Sequence, residues 1–190
     1  MKKTDYSALY LLGGLGLVVY LLKEDIKKMV GIPIIEDKLR FLKNIKPIAE
    51  LIQKQYGIKS IITISQSAHE SNWGISKLTK DANNLFGMKA TAIWIKEGKP
   101  VWTGATTEYF DPSQPTKIIA GFKKYSDWLQ STVDWAELIS NISRYSTLIK
   151  YAKEGNIDMF GKEITKSGYA TDPKYYIALN NISKEIIKYV

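Results

Sequence analysis

Glu70 is the residue whose placement first suggests chemistry. It follows the apolar positions Ile61, Ile62, Ile64 and Ala68 and stands just before Asn72 to Gly74, where a helix should stop. A carboxyl group at the end of a buried helix, facing a cleft, is partly desolvated. Desolvation disfavours the carboxylate, raises the pKa and keeps the proton in place near neutrality. A general acid that hands a proton to the departing oxygen of a glycosidic bond needs that property. Taken alone, a glutamate in this place is more readily a cap or an ion-pair partner. His69 is the only histidine, so a Ser-His-Asp triad would have to use it and a multi-histidine zinc site is excluded. The absence of cysteine excludes disulfides and thiolate metal sites. No metal and no cofactor is expected. Neighbouring helix positions point about 100° apart, so His69 is expected off the face of Glu70, in a packing or supporting place.

The elements that must hold Glu70 follow from hydrophobic spacing. From Glu36 to Tyr56, the residues Leu39, Leu42, Ile45, Ile48, Ala49 and Ile52 recur at steps of three and four, which predicts an amphipathic helix ended by Gly57. A largely buried helix from Ser60 to Ser71 carries Glu70 itself. Ala92 to Ile95, Val101 to Tyr109 and Lys117 to Phe122 are rich in β-branched and aromatic residues, with EGKP and DPSQP between them. They predict a small antiparallel sheet or a pair of hairpins. Helical spacing returns from Ser126, read as an N-cap, to Ser140. Shorter helices are expected over Thr147 to Lys153 and Ile157 to Lys166, and a last one from near Asp172 and Pro173 to Tyr189. The fold class is α+β, mainly α, with a β lobe inserted in the middle.

A length of 190 residues suits one domain and an appendage. Hydrophobic residues at 45% and charged residues at 24% exclude a disordered chain. The net charge of +8 favours a polyanionic partner: nucleic acid, anionic lipid or an acidic cell wall. Only Arg40 and Arg144 are arginines. Arginine is the preferred reader of bases and phosphates, so nucleic acid is not expected as the partner. Tyr6 to Leu22 carries no charge. As a helix it would span roughly 25 Å, a little short of a hydrocarbon core of ~30 Å. Tyr6 and Tyr20 stand where interfacial aromatics belong, and no small-residue cleavage site follows. An uncleaved N-terminal transmembrane helix, engaging a lipid bilayer through residues 6–22, is therefore expected. Gly31 and Pro33 should break the polar stalk behind it. The expected organisation is residues 1–30 as membrane anchor and stalk and residues 31–190 as the folded domain.

The stretch Gln66 to Lys89, QSAHESNWGISKLTKDANNLFGMK, carries a longer signature. Gln66, Glu70, Ser71, Trp73 and Gly74 are followed by Asn83, Asn84, Leu85, Phe86, Gly87 and Lys89. Thr106, Glu108 and Tyr109 come next, then Phe122, Lys123 and Tyr125, then GYATDP from Gly168 to Pro173. With these five blocks in order, the chain resembles glycoside hydrolase family 73. That family comprises the peptidoglycan N-acetylglucosaminidases, among them bacterial autolysins and the flagellar peptidoglycan hydrolase domain. The blocks cover most of the chain after the apolar segment. The resemblance implies a lysozyme-like fold and cleavage of the glycosidic bond between N-acetylglucosamine and N-acetylmuramic acid. It makes Glu70 the catalytic acid and Glu108 the second carboxylate. Glu108 would either activate water on the opposite face of the sugar or stabilise the charge that develops on the ring. A third route uses the substrate's own acetamido group instead. Tyr169 would line the subsite beside Glu70. Trp73, Asn83, Asn84, Phe86 and Tyr109 would contact substrate, Trp73 and Phe86 by stacking on sugar rings, although core packing suits either aromatic as well. His69 departs from the family, in which an apolar residue is common at this place, and Pro112 and Pro115 would stiffen the lobe tip.

The partner so implied is the glycan strand of peptidoglycan. Two other readings stay open. One is a muramidase or lytic transglycosylase on the same fold; the other is a membrane-held wall-binding or structural component without activity. With the apolar segment, the expected location is a membrane, with the catalytic domain outside the cytoplasm. That membrane belongs either to a bacterial envelope or to a lipid-containing phage virion, where other envelope or virion proteins would be further partners.

Overall fold

The computed structural model describes residues 32–111, 114–170, 172 and 174–188, and their side chains except those of 32–34, 107–111 and 114–115. The apolar segment Tyr6 to Leu22, its stalk, Pro112 and Pro173 lie outside the described residues. Among the described residues no helix is long and apolar enough to cross a membrane. The chain divides into two units, Met1–Lys38 and Leu39–Val190.

Helix α1 runs Ile32–Tyr56. It starts earlier than its hydrophobic spacing predicts because Pro33 falls in the first turn, where a missing N–H costs nothing. It ends at Gly57, which takes the left-handed conformation. Helix α2, Ser60–Ser71, is buried along most of its length. Ile62, Ile64 and Ala68 meet Ile45 and Ile52 of α1 in the core. Two serines buried on α2 bond back to its own backbone: the Ser67 hydroxyl donates to the Thr63 carbonyl at 2.7 Å and the Ser71 hydroxyl to the Ser67 carbonyl at 2.5 Å.

Behind α2 lie α5 (Trp128–Asn141), a 3₁₀ turn (Ser143–Tyr145), α6 (Ser146–Glu154), α7 (Ile157–Lys166) and α8 (Tyr175–Ile186). Their buried faces supply Trp135, Ile139, Leu148, Phe160, Ile164 and Leu179 to the same core. Each such side chain removed from water stabilises the fold by about 1.5–3 kcal/mol. Helix α5 is capped by Asp127, whose carboxylate accepts from Gln130 N at 2.8 Å. The expected cap, Ser126, instead donates its hydroxyl to Asp127 at 2.9 Å. Helix α8 packs on both α7 and α2. The approach to α7 is close: a Cβ at Gly161 would stand 2.9 Å from Tyr176 Cα.

Between these parts sit α3 (Lys77–Ala82), α4 (Ala92–Lys96) and the strands β1 (Val101–Asp111) and β2 (Gln114–Lys123). The strands form an antiparallel pair from Val101↔Lys123 to Glu108↔Thr116, with an irregularity before Asp111↔Gln114. The expected strand at Ala92 to Ile95 is a short helix instead. Thr91 caps it by accepting from Trp94 N at 3.2 Å. The indole of Trp94 donates to the Pro100 carbonyl at 2.9 Å and packs against Tyr125. Ile93 and Ile95 stay exposed at 68% and 58%. One helical turn thus tucks in the tryptophan alone.

Candidate active site

Glu70 occupies the last turn of α2 because the helix cannot continue past it. Asn72, Trp73 and Gly74 all have positive φ, and Trp73 N returns to the Ala68 carbonyl at 2.8 Å. A bulky residue with φ of 56° is strained. Burial of Trp73 edge-on against Phe41, at 5.8 Å between ring centroids, holds it there.

The Glu70 carboxyl lies in a pocket of about 560 Å³ that is also bounded by Phe86 to Lys89, Thr106, Arg144, Tyr145, Tyr169 and Asp172. Burial pushes its pKa up, a hydrogen bond from Tyr175 draws it partly back, and the balance is about 7. The Tyr175 hydroxyl donates to Glu70 Oε1 at 2.7 Å. The other oxygen faces Gly87, where a Cβ would lie 3.8 Å from Oε2. Gly87 has φ +64°, a conformation that favours glycine. The site therefore offers a carboxyl that still carries a proton near neutrality, on the wall of a groove of about 560 Å³.

Tyr169 reaches the same pocket, and its hydroxyl donates to the Phe86 carbonyl at 3.2 Å. Phe86 is buried and stacked on Trp135, with ring centroids 4.6 Å apart and planes 6° apart. It lines the pocket from below but has given one ring face to the core. Trp73 does not line the pocket; it packs on Phe41. Asn84, 1% exposed, faces the protein and not the groove. Its amide nitrogen donates to the carbonyls of Met88 and Lys123 at 2.9 and 2.8 Å, and its oxygen accepts from Met88 N at 3.0 Å. Asn83 ends α3 in the left-handed conformation and donates to the carbonyls of Tyr125 and Ser126. Both asparagines therefore shape the loop that carries Phe86 and Gly87. The side chains of Glu108 and Tyr109 lie outside the described residues. Glu108 stands on β1 two positions beyond Thr106, a pocket residue, and pairs with Thr116.

His69 also borders the pocket, and its ring meets Tyr175 edge-on at 4.6 Å. Burial lowers its pKa, with Asp172 acting the other way, so it brings no positive charge to Glu70 at neutral pH. Tyr175 is the site residue that sequence reasoning passed over. It lies two positions beyond the GYATDP block, and its contact with Glu70 joins residues 105 positions apart. The available signal was its place in the first turn after Asp172. Among the described residues no group of three or more histidine, cysteine or acidic side chains is arranged to hold a metal.

A family model described as Glucosaminidase, mannosyl-glycoprotein endo-beta-N-acetylglucosaminidase, matches residues 46–188. The chain belongs to that family. The chain is 32% identical over 149 residues to peptidoglycan hydrolase FlgJ of Vibrio parahaemolyticus, covering 77% of the chain and 46% of FlgJ. It thus spans less than half of that relative's length. It is 29% identical over 197 residues to exo-glucosaminidase LytG of Bacillus subtilis, covering 99% of the chain and 66% of LytG. Among solved structures, a peptidoglycan hydrolase mutant from Sphingomonas sp. A1 matches with a TM-score of 0.68 at 28% identity, covering 76% of this chain and 91% of that one. The truncated glycoside hydrolase domain of Salmonella typhimurium FlgJ matches with a TM-score of 0.61 at 30% identity, covering 80% and 98%. A mainly helical body with a two-stranded antiparallel sheet is accordingly the architecture this chain shares with them.

Proposed function

We propose that the chain hydrolyses peptidoglycan at the glycosidic bond between N-acetylglucosamine and N-acetylmuramic acid, with Glu70 as general acid. The observation that carries this is the Glu70 carboxyl, held near pKa 7 in a groove with one oxygen turned to the open side at Gly87. In the reaction the Glu70 proton passes to the glycosidic oxygen as the bond to the sugar carbon breaks. Positive charge then develops on the ring, and water completes the hydrolysis. The names of FlgJ and LytG support wall glycan as the substrate.

Glu108 is the proposed second carboxylate. It stands on β1 two positions beyond Thr106, which borders the pocket. Tyr169 is proposed to line the subsite beside Glu70 and to order the sugar or the water. Arg144 stands at the pocket wall with its guanidinium 4.6 Å from the Tyr145 ring centre. It suits the carboxylates carried by muramic acid substituents. The proposed place of action is a membrane surface facing the wall, with residues 6–22 as anchor and residues 31–190 as the working domain. The likeness to LytG covers 99% of the chain and so extends into that apolar segment. Fractionation of cells and of purified lipid-bearing virions distinguishes a bacterial envelope from a phage membrane.

Mass spectrometry of digested wall tests the reading. New reducing ends of N-acetylglucosamine are expected from the wild type and none from Glu70→Gln. Ends of N-acetylmuramic acid or its anhydro form would show a muramidase or a lytic transglycosylase instead. Equal clearing of a wall suspension by wild type and variant would remove the enzyme altogether.

A further inference from the structure

We infer that Tyr175 positions the acid, by fixing which oxygen of Glu70 holds the reacting proton. The inference rests on the reading of Glu70 as general acid and adds a residue that the five sequence blocks do not contain. Tyr175 opens α8, is 3% exposed, and places its hydroxyl 2.7 Å from Glu70 Oε1. A phenol buried beside a carboxyl keeps its own proton throughout the working pH range, since burial and Glu70 both push its pKa far up. It can therefore donate to Oε1 in both charge states of Glu70, which is the direction the 2.7 Å contact takes. In a neutral carboxyl group one oxygen carries the hydrogen and the other remains free to accept. With Oε1 accepting from Tyr175, the hydrogen resides on Oε2, the oxygen that faces Gly87 and the groove.

The same bond acts on both halves of the proton transfer. Before it, the carboxyl cannot turn its proton inward without reversing the hydrogen bond that Tyr175 donates. After it, the new carboxylate keeps a donor on Oε1 while Oε2 takes the charge. The packing suits a fixed donor: the Tyr175 ring is held by His69 at 4.6 Å, and α8 lies against both α2 and α7. Besides Glu70 and Tyr175, the ionisable groups around the pocket among the described residues are His69 on α2, Lys89 beside Gly87, Arg144 and Tyr145 on the 3₁₀ turn, and Tyr169 and Asp172 before α8. Burial and the Tyr175 hydroxyl are the two causes that set the acidity of Glu70.

Tyr175→Phe tests this, because it keeps the ring and removes only the hydroxyl. With ¹³C-labelled glutamate, the Glu70 carboxyl of the full chain is titrated by NMR in wild type and variant, alongside kcat and KM against pH on wall fragments. Loss of the donor is expected to raise the Glu70 midpoint by about one pH unit. The same loss lowers kcat at the acidic plateau about tenfold, with KM nearly unchanged. A Glu70 midpoint coinciding with that of wild type, or an unchanged kcat plateau, would overturn the inference. Difluorotyrosine incorporated at position 175 is a second probe that keeps ring and hydroxyl. Its stronger donor should move the Glu70 midpoint down, and an upward or absent shift counts against the inference. The titration does not depend on turnover, so it stands apart from the activity of Glu70→Gln, which tests the underlying reading.

Discussion

Holding a proton on Glu70 near neutrality has a thermodynamic consequence that can be measured without substrate. The folded pKa is raised from 4.5 to about 7 by burial. The group's contribution to stability is therefore intact below pH 4.5 and is lost as the pH rises through 7. At about 1.4 kcal/mol per pH unit, the loss above pH 8 is on the order of 3 kcal/mol. Glu70→Gln cannot ionise. It should match the wild type in denaturant melts at pH 4.5 and exceed it by up to about 3 kcal/mol at pH 8.5. The same titration governs catalysis. Wild-type kcat should fall as the pH rises through about 7, and Glu70→Gln should lower it by about 10²–10⁴ below that fall, with the difference narrowing above it. For Arg144→Gln, steady-state kinetics should show KM raised about tenfold on fragments bearing muramic carboxylates and unchanged on neutral N-acetylglucosamine oligomers. Glu70 was legible in the sequence because its position depends on local signals, an apolar helix and a run that ends it. Tyr175 was not, because its role depends on a contact that only the folded chain makes. The type of a residue also does not reveal its neighbours: Trp73 and Asn84 suit a sugar site by chemistry, yet one packs on Phe41 and the other ties a loop.

At the scale of elements, the helices were readable wherever the apolar spacing continued for three turns or more. α2 and the helix Ile157–Lys166 begin and end where the sequence predicts. The segment at Ala92 was misread because Ile93 and Ile95 favour a strand by type, whereas a cap at Thr91 and a home for Trp94 decide for one helical turn. Two elements carry the precision of the site, and each has a sensitive point. Asn84→Ala removes three hydrogen bonds, two of them buried, that shape the loop over Glu70. Thermal or denaturant melts should show a loss of about 2–4 kcal/mol, with a fall in kcat that added stabilising salt does not restore. Gly161→Ala puts a methyl group 2.9 Å from Tyr176 Cα and forces α8 away from α7. Because Tyr175 is the adjacent residue, this substitution should disturb the Glu70 titration as well as lower Tm, although it lies outside the pocket.

For the whole molecule, the charge of +8 is the property that acts at long range. Attraction of a basic protein to an acidic wall weakens as the screening length falls from ~30 Å at 0.01 M salt to ~3 Å at 1 M. Turbidity clearing of intact wall should therefore slow about tenfold across that range. Cleavage of short neutral oligomers should stay nearly constant. The hairpin of β1 and β2 brings the remaining large-scale consequence. At its root, Lys123 N bonds the Met88 carbonyl at 2.9 Å, Ala90 N bonds the Gly121 carbonyl at 2.9 Å, and the Asn84 amide grips the Met88 and Lys123 carbonyls together. This knot joins the arm to the very loop that faces the acid. A substitution that loosens the base of the arm must therefore displace the catalytic wall with it, so neither can be altered alone.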